Sequence, residues 1–200
     1  MSRRAQQRAT TRERIVEAAA EAFAEKGFHG ASTRDIAQRA GANQGLITYH
    51  FRSKDELWRA AADRTFGLLR QSLGTSLAAL ASDDPRDRAR EAIRQYVRFA
   101  AAHPELFRLM VEEGKHDDER MAWLVDTHLR PIYEGFLRFG GALGGGLDAP
   151  LQAHAYYVLA GAASLLFAVA PECRRLTGLD PTSAQAVETH AGLVARLLVP

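Results

Sequence analysis

Two hundred residues, 46% hydrophobic and 25% charged, exclude a disordered chain, a collagen-like repeat and a short disulfide-stapled fold. The single cysteine, Cys173, cannot form an internal bridge or a cysteine-based zinc site, so a reducing, cytoplasmic compartment is expected. The net charge of +2 is unevenly divided: residues 1–60 hold 11 Lys/Arg against 7 Asp/Glu, and residues 61–200 hold 15 against 17. A basic head of +4 thus precedes a body of −2, which suits a polyanionic partner such as nucleic acid and equally suits a solvated basic tail.

Helical periodicity runs through the chain and no segment alternates as a half-buried strand does, so the expected fold is all-α. The N-terminus passes from Arg3 and Arg4 straight into further charged residues, with no apolar stretch of the kind that marks a signal peptide. Thr10 and Glu13 form a capping box, Ile15, Val16, Ala19 and Phe23 share a stripe, and Gly27 supplies a stop, which predicts a first helix over 11–26. Ser32 and Asp35 open a two-turn helix that Gly41 ends. Asn43 caps a third short helix over 44–50, with Ile47 and Phe51 on its buried side. Ser53 and Glu56 start a long fourth helix running towards Leu80. After the linker at Asp83-Asp84-Pro85, helices are expected near 87–102, 104–113, 119–139, 150–170 and 182–198, with Pro131 as a kink. The glycine-rich stretch 140–146 lacks the GxGxxG spacing and a preceding strand, so it reads as a loop and not as a phosphate cradle. The apolar run 156–170 is fifteen residues long, short of the ~20 that span a bilayer, and is expected to be a buried helix with no membrane partner.

Two short helices joined by a glycine-containing turn outline a helix-turn-helix, whose second helix enters the DNA major groove; many helical proteins contain such a pair without touching DNA. The residues themselves are more specific. The stretch from Thr33 through Asp35-Ile36-Ala37, Gly41, Asn43-Gln44-Gly45-Leu46-Ile47-Thr48-Tyr49-His50-Phe51 to Lys54-Asp55-Glu56-Leu57 resembles the signature of the tetracycline-repressor (TetR) family, and the likeness covers about residues 10–60. Leu46 and Thr48 depart from the residue types frequent at those places in the family.

The resemblance implies that Gln44, Gly45, Leu46, Thr48, Tyr49 and His50 lie on or near a DNA face. Chemistry fits each role: Gln44 can pair with an adenine edge, Gly45 permits close approach, and Leu46 can meet a thymine methyl. Tyr49 and His50 would position the protein on the sugar-phosphate backbone, His50 being equally readable as a half-buried packing residue. Thr33 and Lys54 sit at helix starts where phosphate is favoured, with Arg34 beside them. Arg3, Arg4, Arg8 and Arg12 read either as a groove-seeking arm or as a solvated tail. The expected division is an N-terminal DNA-binding unit of three helices over 1–52 and a helical-bundle regulatory and dimerisation domain over 53–200, whose first helix is the connector.

The body carries no catalytic or metal signature. His103, His116, His128 and His154 show no ligand spacing, no GxSxG occurs, and no enzyme activity, metal or cofactor is expected. Aromatic and sulfur residues at helical spacing are core first, yet an effector pocket would be built from the same helices, and Phe107, Met110, Trp123, His128, Tyr133 and Tyr157 are candidates to line it. The last two helices are apolar over too much of their circumference for one face. By the resemblance they would pair with a second copy, through Tyr156, Ala160, Ala163 and Leu166 together with Val187, Ala191, Val194 and Leu198. The resulting expectation is a homodimeric regulator, a repressor that releases a palindromic double-stranded operator when an apolar or aromatic small molecule binds. A structural helical bundle with an incidental basic head and an all-helical enzyme are the rival readings.

Overall fold

The computed structural model describes residues 3–140 and 148–199, and among them every regular element is helical. The chain runs α1 (Arg3–Gly30), α2 (Thr33–Arg39), α3 (Gln44–His50), α4 (Lys54–Ala79), α5 (Pro85–Ala102), α6 (Pro104–Glu113), α7 (Glu119–Leu124), a π-helical turn (Val125–Leu129), α8 (Arg130–Gly140), α9 (Ala149–Ala168), α10 (Ala170–Thr177) and α11 (Ala184–Leu198). The expected loop at 140–146 lies, beyond Gly140, outside the described residues.

Local chemistry accounts for most boundaries. Ser32, Asn43 and Ser53 each accept a backbone N–H three residues ahead, at 3.1, 3.0 and 3.0 Å, so three successive helices start on side-chain caps. Glu56 turns back to accept the Arg52 N–H at 2.8 Å, one residue before the position that a reciprocal capping box would use. Three expectations are corrected. Helix α1 begins at Arg3 and not at residue 11: Thr10 caps nothing, because its hydroxyl donates back to the Gln6 carbonyl at 3.1 Å within a helix already under way. The single helix expected over 119–139 contains a π-helical turn, closed by the Arg130 N–H on the Val125 carbonyl. That wider turn comes just before Pro131, which has no N–H to give and whose ring would crowd a carbonyl four residues back. Helix α10 was not foreseen; it opens on Pro171 near its start and closes on Gly178, at φ 75°.

Two apolar cores hold the helices. The first joins Ile15, Ala19 and Phe23 of α1, Ile36 of α2, Ile47 of α3, Leu57, Trp58 and Ala61 of α4, and Leu106, Leu109 and Leu124 of the body. The second joins Ile93 and Val97 of α5, Ala163 and Phe167 of α9, and Ala191, Val194 and Ala195 of α11. Helix α4 therefore belongs to both ends of the molecule. Its first half is buried in the head, while Ser72 accepts from Gln95 at 2.6 Å and Ser76 donates to Glu91 at 2.8 Å, tying its second half to α5.

Helix α9 departs from the expectation of a buried helix. Pro150–Ala168 is long and apolar enough to cross a bilayer by length and composition, yet only 17% of that stretch is buried within the chain. Leu151, Val158 and Leu165, spaced by seven, are about half exposed, at 51, 54 and 53%, and Tyr157 is 74% exposed.

Candidate nucleic-acid interface

Helix α3 is held by its back and exposed along its front. Ile47 and the following Phe51 are buried in the first core, each only 3% exposed, and Leu46 is half-buried against it. Gln44, Gly45, Thr48 and Tyr49 are left on the outer side. The approach to α3 is tight: Gly41 stands at φ 59°, a left-handed conformation that favours glycine, and lets the chain reverse between the helices. Ion pairs from Lys26 to Asp35 at 2.8 Å and from Arg39 to Glu25 at 2.7 Å fasten α2 to α1, and Arg64 reaches Glu17 at 2.8 Å to fasten α4 to α1.

The outer groups are preset to different degrees. The Gln44 amide donates to the Thr33 hydroxyl at 3.4 Å, so these two candidates form a pair across the turn. Thr48 spends its hydroxyl on the Gly45 carbonyl at 3.0 Å, which aims it along the helix. Tyr49 is 59% exposed, with the Arg8 guanidinium 5.0 Å from its ring centroid. Arg12 lies similarly over Phe51, at 5.2 Å. The longer α1 thus carries Arg8, one turn before Arg12, alongside α3. His50 is half-buried and edge-on to Tyr49; burial first, then the charges of Arg8 and Arg12, push its pKa down, so it is neutral at pH 7. Arg34 is exposed on α2.

Lys54 has a second allegiance. Its ammonium donates to the His29 carbonyl at 3.5 Å and lies 4.8 Å from the centre of the Phe28 ring, while Arg120 lies 4.0 Å from the same ring. Burial and then the Arg120 charge push the Lys54 pKa down. Beside this seam an open depression of about 300 Å³ is lined by Asp55, Arg59, Asp118, Glu119 and Arg120, and within it Arg59 pairs with Asp55 at 2.8 Å and Arg120 with Asp118 at 2.7 Å.

The six candidates for an effector pocket do not converge. Phe107 and Met110 are half-buried on α6, Met110 against the first core. Trp123 packs edge-on to Trp58 and to His128, with ring centroids 5.6 and 5.3 Å away. His128 is 2% exposed and its imidazole is already bonded to α4 through Asp63 and Arg70. Tyr133 belongs to a separate cluster with Phe136 and Tyr156. Tyr157 is corrected outright: at 74% exposed it faces solvent, because its neighbour Tyr156 takes the inward side. Sequence reasoning missed two buried hydroxyls near that second cluster, Ser164 donating to Tyr96 at 3.3 Å. Burial pushes both tyrosines up, Tyr156 to about 12. The only sequence signal was a serine inside an apolar run.

The candidates for a dimer face also divide. Ala163, Ala191 and Val194 are enclosed by their own chain against α5, at 0, 0 and 2% exposed, so they cannot meet a partner. Tyr156, Ala160, Leu166, Val187 and Leu198 are half-buried. The large apolar residues exposed on α9 and α11 include instead Tyr157, Val158 and Leu165 on the one and Leu193 and Leu197 on the other.

The profile of bacterial regulatory proteins, tetR family, matches residues 15–61, from the buried face of α1 to the first turns of α4. The regulator BetI of Yersinia pestis is 39% identical over 79 residues, which cover 40% of this chain and only 40% of BetI. The transcriptional repressor NicS of Pseudomonas putida is 28% identical over 166 residues, 78% of this chain and 76% of NicS. Among solved structures, FadR of Bacillus subtilis in complex with stearoyl-CoA superposes with a TM-score of 0.67 at 18% identity, covering 94% of this chain and 97% of FadR. AibR in complex with isovaleryl coenzyme A and operator DNA gives 0.72 at 16% identity, covering 95% and 98%. The likeness to the tetR family of bacterial regulatory proteins thus lies in residues 15–61, where the motif stands on a capped, outward-facing α3.

Proposed function

We propose that this chain is a homodimeric, cytoplasmic, effector-responsive regulator of transcription that represses by occupying a two-fold symmetric operator. Residues 1–52 are the DNA-reading unit in this reading, and residues 53–200 bind the effector and the second copy. The observation that carries it is α3: a two-turn helix capped by Asn43 and backed by Ile47, whose outer side presents Gln44, Gly45, Thr48 and Tyr49 together. Gln44 reads a base edge, Tyr49 meets phosphate, and Thr33, Arg34, Leu46, His50 and Lys54 surround them. A symmetric dimer would place two such helices about 34 Å apart, in successive major grooves.

The apolar face of Tyr157, Val158, Leu165, Leu193 and Leu197 supports pairing of α9 and α11 with a second copy, and an apolar patch of this kind needs cover. The structures of FadR and AibR contain acyl-CoA thioesters, which favours a small, largely apolar effector in the body here as well. Binding of that effector would shift the heads away from the operator; a 100-fold preference for the released state corresponds to about 2.7 kcal/mol.

Selection of binding sites from a random duplex pool, read by electrophoretic shift over a salt series, tests the reading. Enrichment of an inverted repeat is expected. Uniform binding of all sequences at moderate salt would leave a helical bundle with an incidental basic head.

A further inference from the structure

Histidine 128 stands where the two ends of the molecule meet. It projects from the π-helical turn Val125–Leu129 into the middle of α4 and is 2% exposed. Three residues on one stripe of α4 receive it. Phe66 stacks on the imidazole, with centroids 4.6 Å apart and planes within 5°. Asp63 Oδ1 lies 3.0 Å from Nε2, and Arg70 Nη1 lies 3.1 Å from Nδ1. The spacings of three and four residues put Asp63, Phe66 and Arg70 on the same side of the helix.

This geometry settles the protonation state without reference to any titration. A guanidinium has donors and no acceptor, so Nδ1 must offer its lone pair to Arg70 and the ring proton must sit on Nε2, pointing at Asp63. The imidazole that fits the slot is the neutral one. A second proton, on Nδ1, would face the Arg70 guanidinium directly, break that bond and set two cations side by side.

We propose that His128 is a positioning residue for operator binding: its neutral imidazole fixes the connector α4 against the body, and with α4 the recognition helix. The inference rests on the DNA-binding reading above. The mechanical link is short. Only Phe51-Arg52-Ser53 separate α3 from α4, Glu56 holds the Arg52 N–H, and Leu57 and Trp58 are fully buried beneath the head. Anything that changes the seat of α4 at Asp63–Arg70 is therefore carried to α3 by a continuous helix.

Of the charged groups on neighbouring elements, Asp63 and Arg70 face the ring. Asp126 on its own turn is taken by Arg130, both in solvent. Arg120 of α7 is engaged by Glu113 and Asp118, and Glu134 and Arg138 of α8 are exposed. Burial pushes the His128 pKa down, Asp63 opposes that and Arg70 adds to it, so the ring stays neutral at pH 7 and takes its proton only in more acidic solution.

The test is a pH series of binding between pH 5.5 and 8 at constant ionic strength, using the full-length dimer and the duplex obtained by selection. It is run in a His50→Gln background, because His50 on α3 also titrates. Affinity is expected to fall roughly tenfold towards pH 5.5. Asp63→Asn should move the midpoint down, Arg70→Met should move it up, and His128→Gln should flatten the profile. Asp63 and Arg70 are exposed, so the first two variants keep the fold. Without DNA, the fluorescence of Trp123, edge-on to the ring, should be quenched by the imidazolium with the same midpoint. Binding with a midpoint unmoved by Asp63→Asn and Arg70→Met overturns the role of His128. Absence of duplex binding at every pH would instead overturn the DNA-binding reading, whatever the fluorescence shows.

Discussion

The guanidinium of Arg120 lies 4.0 Å from the centre of the Phe28 ring, joining the first turn of α7 to the end of α1 across the seam between body and head. The same side chain donates to Glu113 at 3.3 Å and to Asp118 at 2.7 Å. Glu113 is the most enclosed carboxylate of the described residues, its side chain only 2% exposed, and Arg120 is its ionic partner.

Removing Arg120 therefore leaves a buried carboxylate without its cation. Arg120→Met is expected to cost about 3 kcal/mol, the scale for breaking a buried pair from one side. Glu113→Gln should cost less, and the double variant should regain part of the loss. Urea denaturation at pH 7 checks this, and a double variant destabilised by the full sum of the two single losses would show that the pair is not coupled.

Little of that seam could be read in the sequence. The three caps Ser32, Asn43 and Ser53 were legible because each acts within three residues of itself. So was the start of α6 at Pro104, where a missing N–H is no loss, whereas Pro85, expected in the linker, opens α5 on the Asp84 cap. Arg120 and Glu113 lie in a run of charges that reads as solvated, and only the packing of α6 and α7 on α1 encloses them. The same holds for His128, whose partners stand 65 and 58 residues away. The small residues Ala163 and Ala191 looked suited to a partner, but smallness equally allows the close approach of α9 and α11 to α5 that fills the second core. Which side of an all-apolar helix faces its own chain is decided by neighbours, not by its own pattern.

If α3 reads DNA as proposed, Gln44→Ala should relax preference at one base position of each half-site, at about 1–3 kcal/mol for the preferred base. Lys54→Met should behave otherwise. A free phosphate-binding lysine would lower the salt dependence by about one unit of slope. Lys54 is drawn inward to Phe28 and His29, so the slope should change by well under one while the unfolding midpoint drops. Binding isotherms over a salt series, with each variant's denaturation curve, separate these outcomes.

Asp118 supplies an acid-side prediction. Its carboxylate caps α7, accepting from the Met121 and Arg120 N–H groups at 3.0 Å each, and also takes the Arg120 guanidinium. The Met121 N–H first, then the Arg120 charge, hold its pKa below the ordinary 3.8. The folded protein thus binds the proton less readily than the unfolded chain, so the stabilisation is complete above about pH 4 and is lost as pH falls through the lowered value. Asp118→Asn keeps an acceptor for the cap and removes the titration. Its thermal midpoint should be lower than wild type at pH 7 and converge with it towards pH 2; parallel curves would assign the acid loss to other carboxylates.

The apolar side of α9 and α11 gives the sharpest contrast between neighbours. Leu197 is 71% exposed within the chain and Ala191, six residues earlier on the same helix, is fully enclosed. A charge at Leu197 meets solvent in a single copy and hydrocarbon only in a dimer. Leu197→Glu should therefore leave a folded monomer by sedimentation, with a far-ultraviolet spectrum like wild type, and should weaken operator binding by at least tenfold because two half-sites no longer act together. Ala191→Glu should unfold the body instead, since its carboxylate would be buried against α5 with no partner. If Leu197→Glu sediments as a dimer with unchanged affinity, the exposed stripe of Tyr157, Val158 and Leu165 is not the pairing surface, and the two copies must meet elsewhere.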